Sequence, residues 1–288
     1  MIRCVDRKDE VRKFLMSRRA RLTPEQVGLP VADGRRVKGL RREEVAQLAG
    51  VSTGYYTRLE RGRIRGASDA VLESIARVLR MNDIERSHLF NLARGFVPAS
   101  QRLEESPAEG VRPSVQRVLN NLSVPAIVYN PAHDIVAANE GGRALYYPHF
   151  DTADRPNIAR FIFLDSRARS YYGDWGQARR MTAAMLRLYV GRDPLNQAIT
   201  AVIEELSDRS ALFRQDWARQ EVYEHRSGHK TFLHPHLGPI AVTFDGFEMP
   251  GEKGLSIVTY SAEPGSVDAE RLGKLPTWAR GEQAATWR

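Results

Sequence analysis

Residues 41–61, RREEVAQLAGVSTGYYTRLER, constrain the fold of this chain more than any other stretch. The spacing predicts a short amphipathic helix over Arg42–Ala49, with Val45, Leu48 and Ala49 on one face. Gly50 follows where the turn needs a positive φ that a β-carbon would resist. Ser52 then caps a second helix running to about Arg61. Within it Tyr56 and Leu59, three apart, face inward with Val45 and Val51. Ala46 and Gly50 are small where two sharply crossing helices come closest. The pattern reads as a helix-turn-helix.

Once the inward positions are removed, Ser52, Thr53, Tyr55, Thr57 and Arg58 remain on the second helix. All of them donate or accept hydrogen bonds, and Arg58 suits bidentate reading of guanine or a phosphate clamp. A helix of this kind lies in the major groove with its N-terminal residues at the base edges. The plainer alternative is a helical hairpin in an all-α domain with a solvated Arg58. Charge favours DNA. Residues 1–97 hold 21 Lys/Arg against 12 Asp/Glu, whereas residues 98–288 hold 22 against 23. The basic excess is therefore confined to the segment with the motif, which makes it an electrostatic footprint. Arg35, Arg36, Lys38 and Arg42, in the basic run just ahead of the first motif helix, and Arg61, at the end of the second, are the expected phosphate contacts.

At 288 residues the chain suits two domains. Its single cysteine, Cys4, excludes an internal disulfide framework and fits a reducing cytoplasm. No apolar run approaches the ~18–20 residues that span a bilayer, so no membrane partner is expected. About five helices are expected over residues 9–94, including 9–20, a capping-box start at Thr23-Pro24-Glu25-Gln26, and a helix capped by Ser68. We place a helix-turn-helix domain at 1–97, a Pro- and acid-rich linker at 98–112, a second domain at 113–275, and a flexible tail at 276–288. The second domain opens with a helix at Ser114–Leu122 and a hairpin of 124–130 with 133–139 around Asn130-Pro131. Helices follow at roughly 139–147, 157–164, 175–190, 194–207 and 210–220. Strands are expected at 221–226, 230–234, 238–247 and 254–262. Strands, then helices, then antiparallel strands describe an α+β domain, so the whole chain is multidomain.

The stretch GLRREEVAQLAGVSTGYYTRLERGR resembles the N-terminal domain of the Xre-type, lambda-repressor-like regulators. The second domain resembles the PAS-like ligand-binding domain of MmyB-like regulators. The resemblance is carried by Asn130-Pro131 with Asn139, Asp174-Trp175, Leu186-Arg187 and Asp193-Pro194. It continues through Phe213-Arg214 with Trp217, Gly228 with Lys230, His234-Pro235, Gly238, and Tyr260 with Ala262-Glu263-Pro264-Gly265-Ser266. Together the two resemblances cover the chain from about residue 10 to 275. The family implies a cytoplasmic, dimeric transcription regulator that binds double-stranded DNA and holds a small apolar molecule such as a fatty acid. One departure is Ala138, before Asn139, where the family pattern leads one to expect tryptophan.

Read without the resemblance, Phe161, Phe163 and Leu164 share one expected helix, Trp175, Met181, Met185 and Leu188 another, and Phe213 and Trp217 a third. Aromatic and Met side chains on helices facing a sheet suit an apolar cavity. Ordinary core packing accounts for the same residues one by one. Asn139, Phe161, Trp175, Met185, Phe213 and Trp217 are the candidate ligand contacts. His225, His229, His234 and His236 fall close together, but their spacing matches no zinc pattern, and surface or hydrogen-bonded histidines are the favoured reading. No phosphate-cradling loop or nucleophile elbow is present, so no catalytic residue, metal or resident cofactor is expected. The expectation is a non-enzymatic regulator, dimeric because a two-fold dimer reads a palindromic operator. A C-terminal domain that binds a protein partner, or a metal, in place of an apolar ligand is the alternative.

Overall fold

The computed structural model describes residues 7–30, 37, 39–94, 110–151, 156–249 and 254–286, with side chains to residue 281. The chain divides into two compact units. One comprises residues 1–101 with 187–196 and 217–223, and the other residues 102–186, 197–216 and 224–288.

The first unit contains α1 (Arg7–Arg21), a 3₁₀ turn (Glu25–Val27), α2 (Arg42–Leu48), α3 (Thr53–Glu60), α4 (Asp69–Val78) and α5 (Asp83–Arg94). The starts use the expected local chemistry. Thr23 N–H donates to Gln26 Oε1 at 2.8 Å. Ser52 Oγ accepts from Tyr55 N–H at 3.1 Å and Ser68 Oγ from Val71 N–H at 3.4 Å. Gly50 has φ 68°, as the turn between α2 and α3 requires. Val11, Phe14 and Leu15 of α1 are fully buried with Leu40, Val45, Ala46, Tyr56 and Leu59, and Leu72, Ile75 and Leu89 close the core. Each such side chain contributes roughly 1.5–3 kcal/mol of burial energy.

Two later stretches belong to this unit although the sequence reading assigned them to the second domain. Within the unit Glu10 pairs with the buried Arg187, and Arg18 Nη2 donates to the Gln220 carbonyl at 2.6 Å. Buried arginines need such partners, and these pairings explain why the two stretches are held here. They also explain one failed expectation. Residues 221–226 form no strand: 221–223 are held in the first unit, and β3 begins only at Ser227 in the second.

The second unit opens with α6 (Pro113–Asn121), β1 (Ala126–Tyr129) and β2 (Ile135–Ala138). Six helices follow: α7 (Glu140–Leu145), α8 (Tyr147–Phe150), α9 (Ile158–Leu164), α10 (Ala168–Tyr171), α11 (Trp175–Arg192, whose residues from 187 on belong to the first unit) and α12 (Gln197–Arg209). α13 (Ala211–Trp217), β3 (Ser227–His234), β4 (Gly238–Glu248), β5 (Ser256–Ser261) and α14 (Val267–Thr286) complete the chain. The strands form one five-stranded sheet in the order β2-β1-β5-β4-β3. Every neighbouring pair is antiparallel. This is the α+β arrangement expected for the second domain.

Alternation decides which residues face which side of the sheet. In β1, Ala126 and Val128 pack with Leu119 of α6, while Ile127 and Tyr129 point the other way. Asn139 ties the strands to the first helix after them. Its side-chain carbonyl accepts from Ala126 N–H at 2.9 Å and Gly142 N–H at 2.7 Å, and its amide donates to the Val124 carbonyl at 2.8 Å. Gly142 permits this approach, since a β-carbon there would sit 2.1 Å from the Ala126 carbonyl oxygen. The stretch expected as a tail from residue 276 instead continues α14. Leu272 and Leu275 are buried on that helix, and the Trp278 ring lies 4.5 Å from that of His234, which anchors it. The linker read at 98–112 lies mostly outside the described residues.

Candidate nucleic-acid interface and ligand cavity

The first unit presents one polar face on α3. Ser52, Thr53, Arg58 and Arg61 are exposed, and Tyr55 and Thr57 are partly exposed. The Arg58 guanidinium stacks over the Tyr55 ring at 4.8 Å, which presents the pair as a planar cationic surface. Behind this face the helix is fixed by Glu60, 1% exposed, which takes Arg19 at 2.8 Å and Arg42 at 2.7 Å. Burial alone would raise the Glu60 carboxyl, but the hydrogen bonds and charges of Arg19 and Arg42 outweigh it and hold the group below its usual range. Arg42, read from the sequence as a phosphate contact, is thus joined to the core carboxylate while staying 44% exposed on its side chain.

Arg35, Arg36 and Lys38 lie outside the described residues. The sequence reading passed over Arg63 and Arg65, which are exposed on either side of the buried Ile64. They extend the cationic surface beyond Arg61. The alternation Arg-Ile-Arg after the glycine at 62 was the available signal.

The second unit encloses a cavity of about 740 Å³ between the sheet and helices α9 and α11. That volume lies within the roughly 300–1,000 Å³ typical of small-molecule sites. Helical spacing aligns Ile158 with Ile162 on α9, and Gln177, Met181 and Met185 on α11. Strand alternation contributes Ile127 and Tyr129, and Val242 and Tyr260 come from β4 and β5. Lys230 on β3 and His225 before it add polar groups. Ala138 pairs with Ile127 across the β1–β2 ladder and so shares the cavity side of the sheet.

Of the six ligand contacts read from the sequence, the structure brings Met185 to this cavity. The other five are not among its lining residues, and each has another job. Asn139 is the buried clamp described above. Phe161 packs on His149 with ring centroids 3.9 Å apart. Trp175 donates its indole N–H to the Ile162 carbonyl at 2.9 Å, and the guanidinium groups of Arg169 and Arg179 lie 4.7 and 4.5 Å from its ring. Phe213 meets Phe163 edge-on, and Trp217 lies 3.9 Å from the Arg187 guanidinium in the first unit.

Lys230 is a charged lining residue that was not among the six candidate contacts. Its Nζ donates to His225 Nε2 at 3.1 Å and lies 4.3 Å from the Phe244 centroid and 5.5 Å from that of Tyr260. The residue keeps some exposure overall on its edge strand, but the amine itself sits among rings, and desolvation pushes it down to about 7. His225 stacks on Phe244 at 3.9 Å, and burial holds its imidazole well below the ordinary range, hence neutral. The four clustered histidines part company here. His225 and His229 line the cavity, whereas His234 accepts from Leu237 N–H at 3.2 Å and packs with His236 against Trp278.

Tyr146 and Tyr260 share a hydroxyl–hydroxyl hydrogen bond of 2.6 Å, and burial raises both phenols. The Tyr172 hydroxyl bonds His149 Nε2 at 3.0 Å.

Comparison with known proteins agrees with both halves of this description. A helix-turn-helix domain model matches residues 15–89. The model of the MmyB-like transcription regulator ligand binding domain matches residues 111–275. No curated protein matches the chain. With α3 set in a helix-turn-helix and a cavity inside the matched region, the chain belongs to the family of MmyB-like transcription regulators.

Proposed function

We propose that this DNA-binding regulator responds to a small, largely apolar, fatty-acid-like molecule, and that it reads a palindromic operator as a homodimer. The observation that carries the ligand reading is the cavity of about 740 Å³, with Ile127, Ile158, Ile162, Met181 and Met185 on its walls. Methionines adapt to irregular apolar ligands, which suits a flexible hydrocarbon chain. The exposed face of α3 supports base reading by Ser52, Thr53, Tyr55, Thr57 and Arg58, with Arg61 on phosphate. Arg35, Arg36, Lys38 and Arg42 remain the further phosphate contacts of this proposal.

Dimerisation follows from DNA geometry, since one recognition helix reads too few base pairs for useful discrimination. The sheet side away from the cavity supports it too. There Val115, Val136, Met249, Leu255 and Ile257 are only partly buried around Leu119 and Val128, an apolar surface of the kind homodimer interfaces cover. A ligand changes operator binding only if it favours one arrangement of the two DNA-reading heads over the other.

Native mass spectrometry of the purified protein, followed by denaturing extraction, tests both parts. The expected result is a dimer that releases a lipophilic mass. A ligand-free dimer that takes up no added lipid would move the second unit towards binding a protein partner, and a clean monomer would overturn the palindrome argument.

A further inference from the structure

Among the described residues, the cavity's lysine has no counter-ion. Among the described residues no carboxylate pairs with Lys230, whose one polar partner is the neutral His225. An ammonium carries three donors, so a single bond to His225 leaves two of them unspent. The rings of Phe244, Tyr260 and Phe232 soften the cost of a charge there but do not neutralise it. The nearby Tyr146, Tyr260 and Tyr172 hydroxyls bond one another or His149, and none of them bonds the Lys230 amine. A buried cation is costly unless paired, and the missing partner fits within the cavity itself.

Resting on the reading of the cavity as a lipid site, we propose that Lys230 is its head-group anchor, pairing with one carboxylate, and that the ligand is an amphiphilic monoanion and not a neutral lipid. The single lysine matches a single negative charge. A phosphate dianion would bring a second charge beside the acids lining the same cavity, Asp174, Glu263 and Asp268. Of these, Asp174 accepts from Gln177 N–H, Asp268 accepts from Ala241 N–H, and Glu263 is exposed.

Pairing also has a proton linkage. Because the free amine sits near 7, carboxylate binding draws a proton onto Lys230, and affinity falls as pH rises through and above that value. The other titratable groups around it are His225, His133 and His149, held neutral by burial, and Tyr146, Tyr172 and Tyr260, whose phenols are raised. None of these six changes charge between pH 6 and about 9. His229, exposed and bonded to Thr243, lines the same cavity and is controlled for by the variant below.

The test is calorimetric titration of the full chain with dodecanoate, dodecanol and methyl dodecanoate below their aggregation limits, using wild type, Lys230→Met and Lys230→Arg. The expected result is that Lys230→Met weakens dodecanoate about 10- to 100-fold and leaves dodecanol within a few-fold, while Lys230→Arg keeps most of the affinity. Wild-type affinity for dodecanoate should fall from pH 6 to 9, and Lys230→Met should lose that slope. Equal binding of dodecanol and dodecanoate, or a slope retained in Lys230→Met, would overturn the anchor while leaving the apolar cavity standing. Failure of all three probes to bind wild type would overturn the cavity reading and the anchor with it. Circular dichroism and the dodecanol affinity report whether each variant is folded.

Discussion

Replacing Asn139 by leucine isolates what a single buried amide does for the second unit. The side chain is 5% exposed and joins three pieces of chain: the Val124 carbonyl before β1, the Ala126 N–H in β1, and the Gly142 N–H at the start of α7. Leucine is close in size, so the cavity term is small and the loss is one of hydrogen bonds. Two buried N–H groups are orphaned, at about 1–3 kcal/mol each, for a total near 4 kcal/mol. An ordinary N-cap substitution costs only about 1 kcal/mol. For a domain of this size each kcal/mol moves Tm by about 2–4 °C, so the clamp predicts a fall of about 8–16 °C.

All four tryptophans lie at or beyond residue 175, which lets intrinsic fluorescence follow the later part of the chain during heating. Hydrogen exchange at Ala126 and Gly142 locates the loss. A fall under about 4 °C, the size of a lone cap, would refute the clamp and return Asn139 to a local role. Ser68→Ala, which removes a simple cap of α4 in the first unit, supplies the scale for comparison.

Three further outcomes are expected. Gly50→Val forces a β-branched residue to φ 68° and should cost the first unit roughly 1–2 kcal/mol, whereas Gly54→Ala, in a helix with open space around its β-position, should gain about 1 kcal/mol; thermal melts of the two variants should move in opposite directions. Arg58→Ala should lower discrimination of the operator over unrelated DNA by about 1–3 kcal/mol, and unchanged discrimination in competition binding would displace α3 as the reading helix. Lys230→Met should raise the Tm of ligand-free protein at neutral pH. The folded-state amine sits near 7, below its unfolded value of 10.5, so the charge penalty is full below 7 and is relieved as pH climbs towards 10.5. The gain from the variant should therefore shrink over that interval, and a gain independent of pH would remove the charge from the explanation.

The sequence by itself determined the elements whose causes are local. The capping serines at 52 and 68, the glycine at 50, and the spacing of Val45, Tyr56 and Leu59 all act within a few residues, and all appear as read. Helical and strand periods likewise placed α9, α11, β4 and β5 to within a few residues. The tertiary structure decided what those elements are used for. Phe161, Trp175, Phe213 and Trp217 looked like pocket walls, yet each found a ring, carbonyl or guanidinium partner elsewhere, and the apolar period of a helix cannot tell a core wall from a cavity wall. Residues 187–196 and 217–223 joined the first unit through buried arginine pairs whose partners lie more than 170 residues away in sequence.

Lys230 shows the same limit most clearly. In sequence it is a lysine on an alternating strand, no different from one that faces water. It becomes a cavity group only when β3 pairs with β4 and places it beside Phe244, His225 and Tyr260. Short-range patterns carry the conformational preference of each segment, but the environment of a side chain is set by segments far apart in the chain, and that environment decides whether a charge is solvated or waits for a partner.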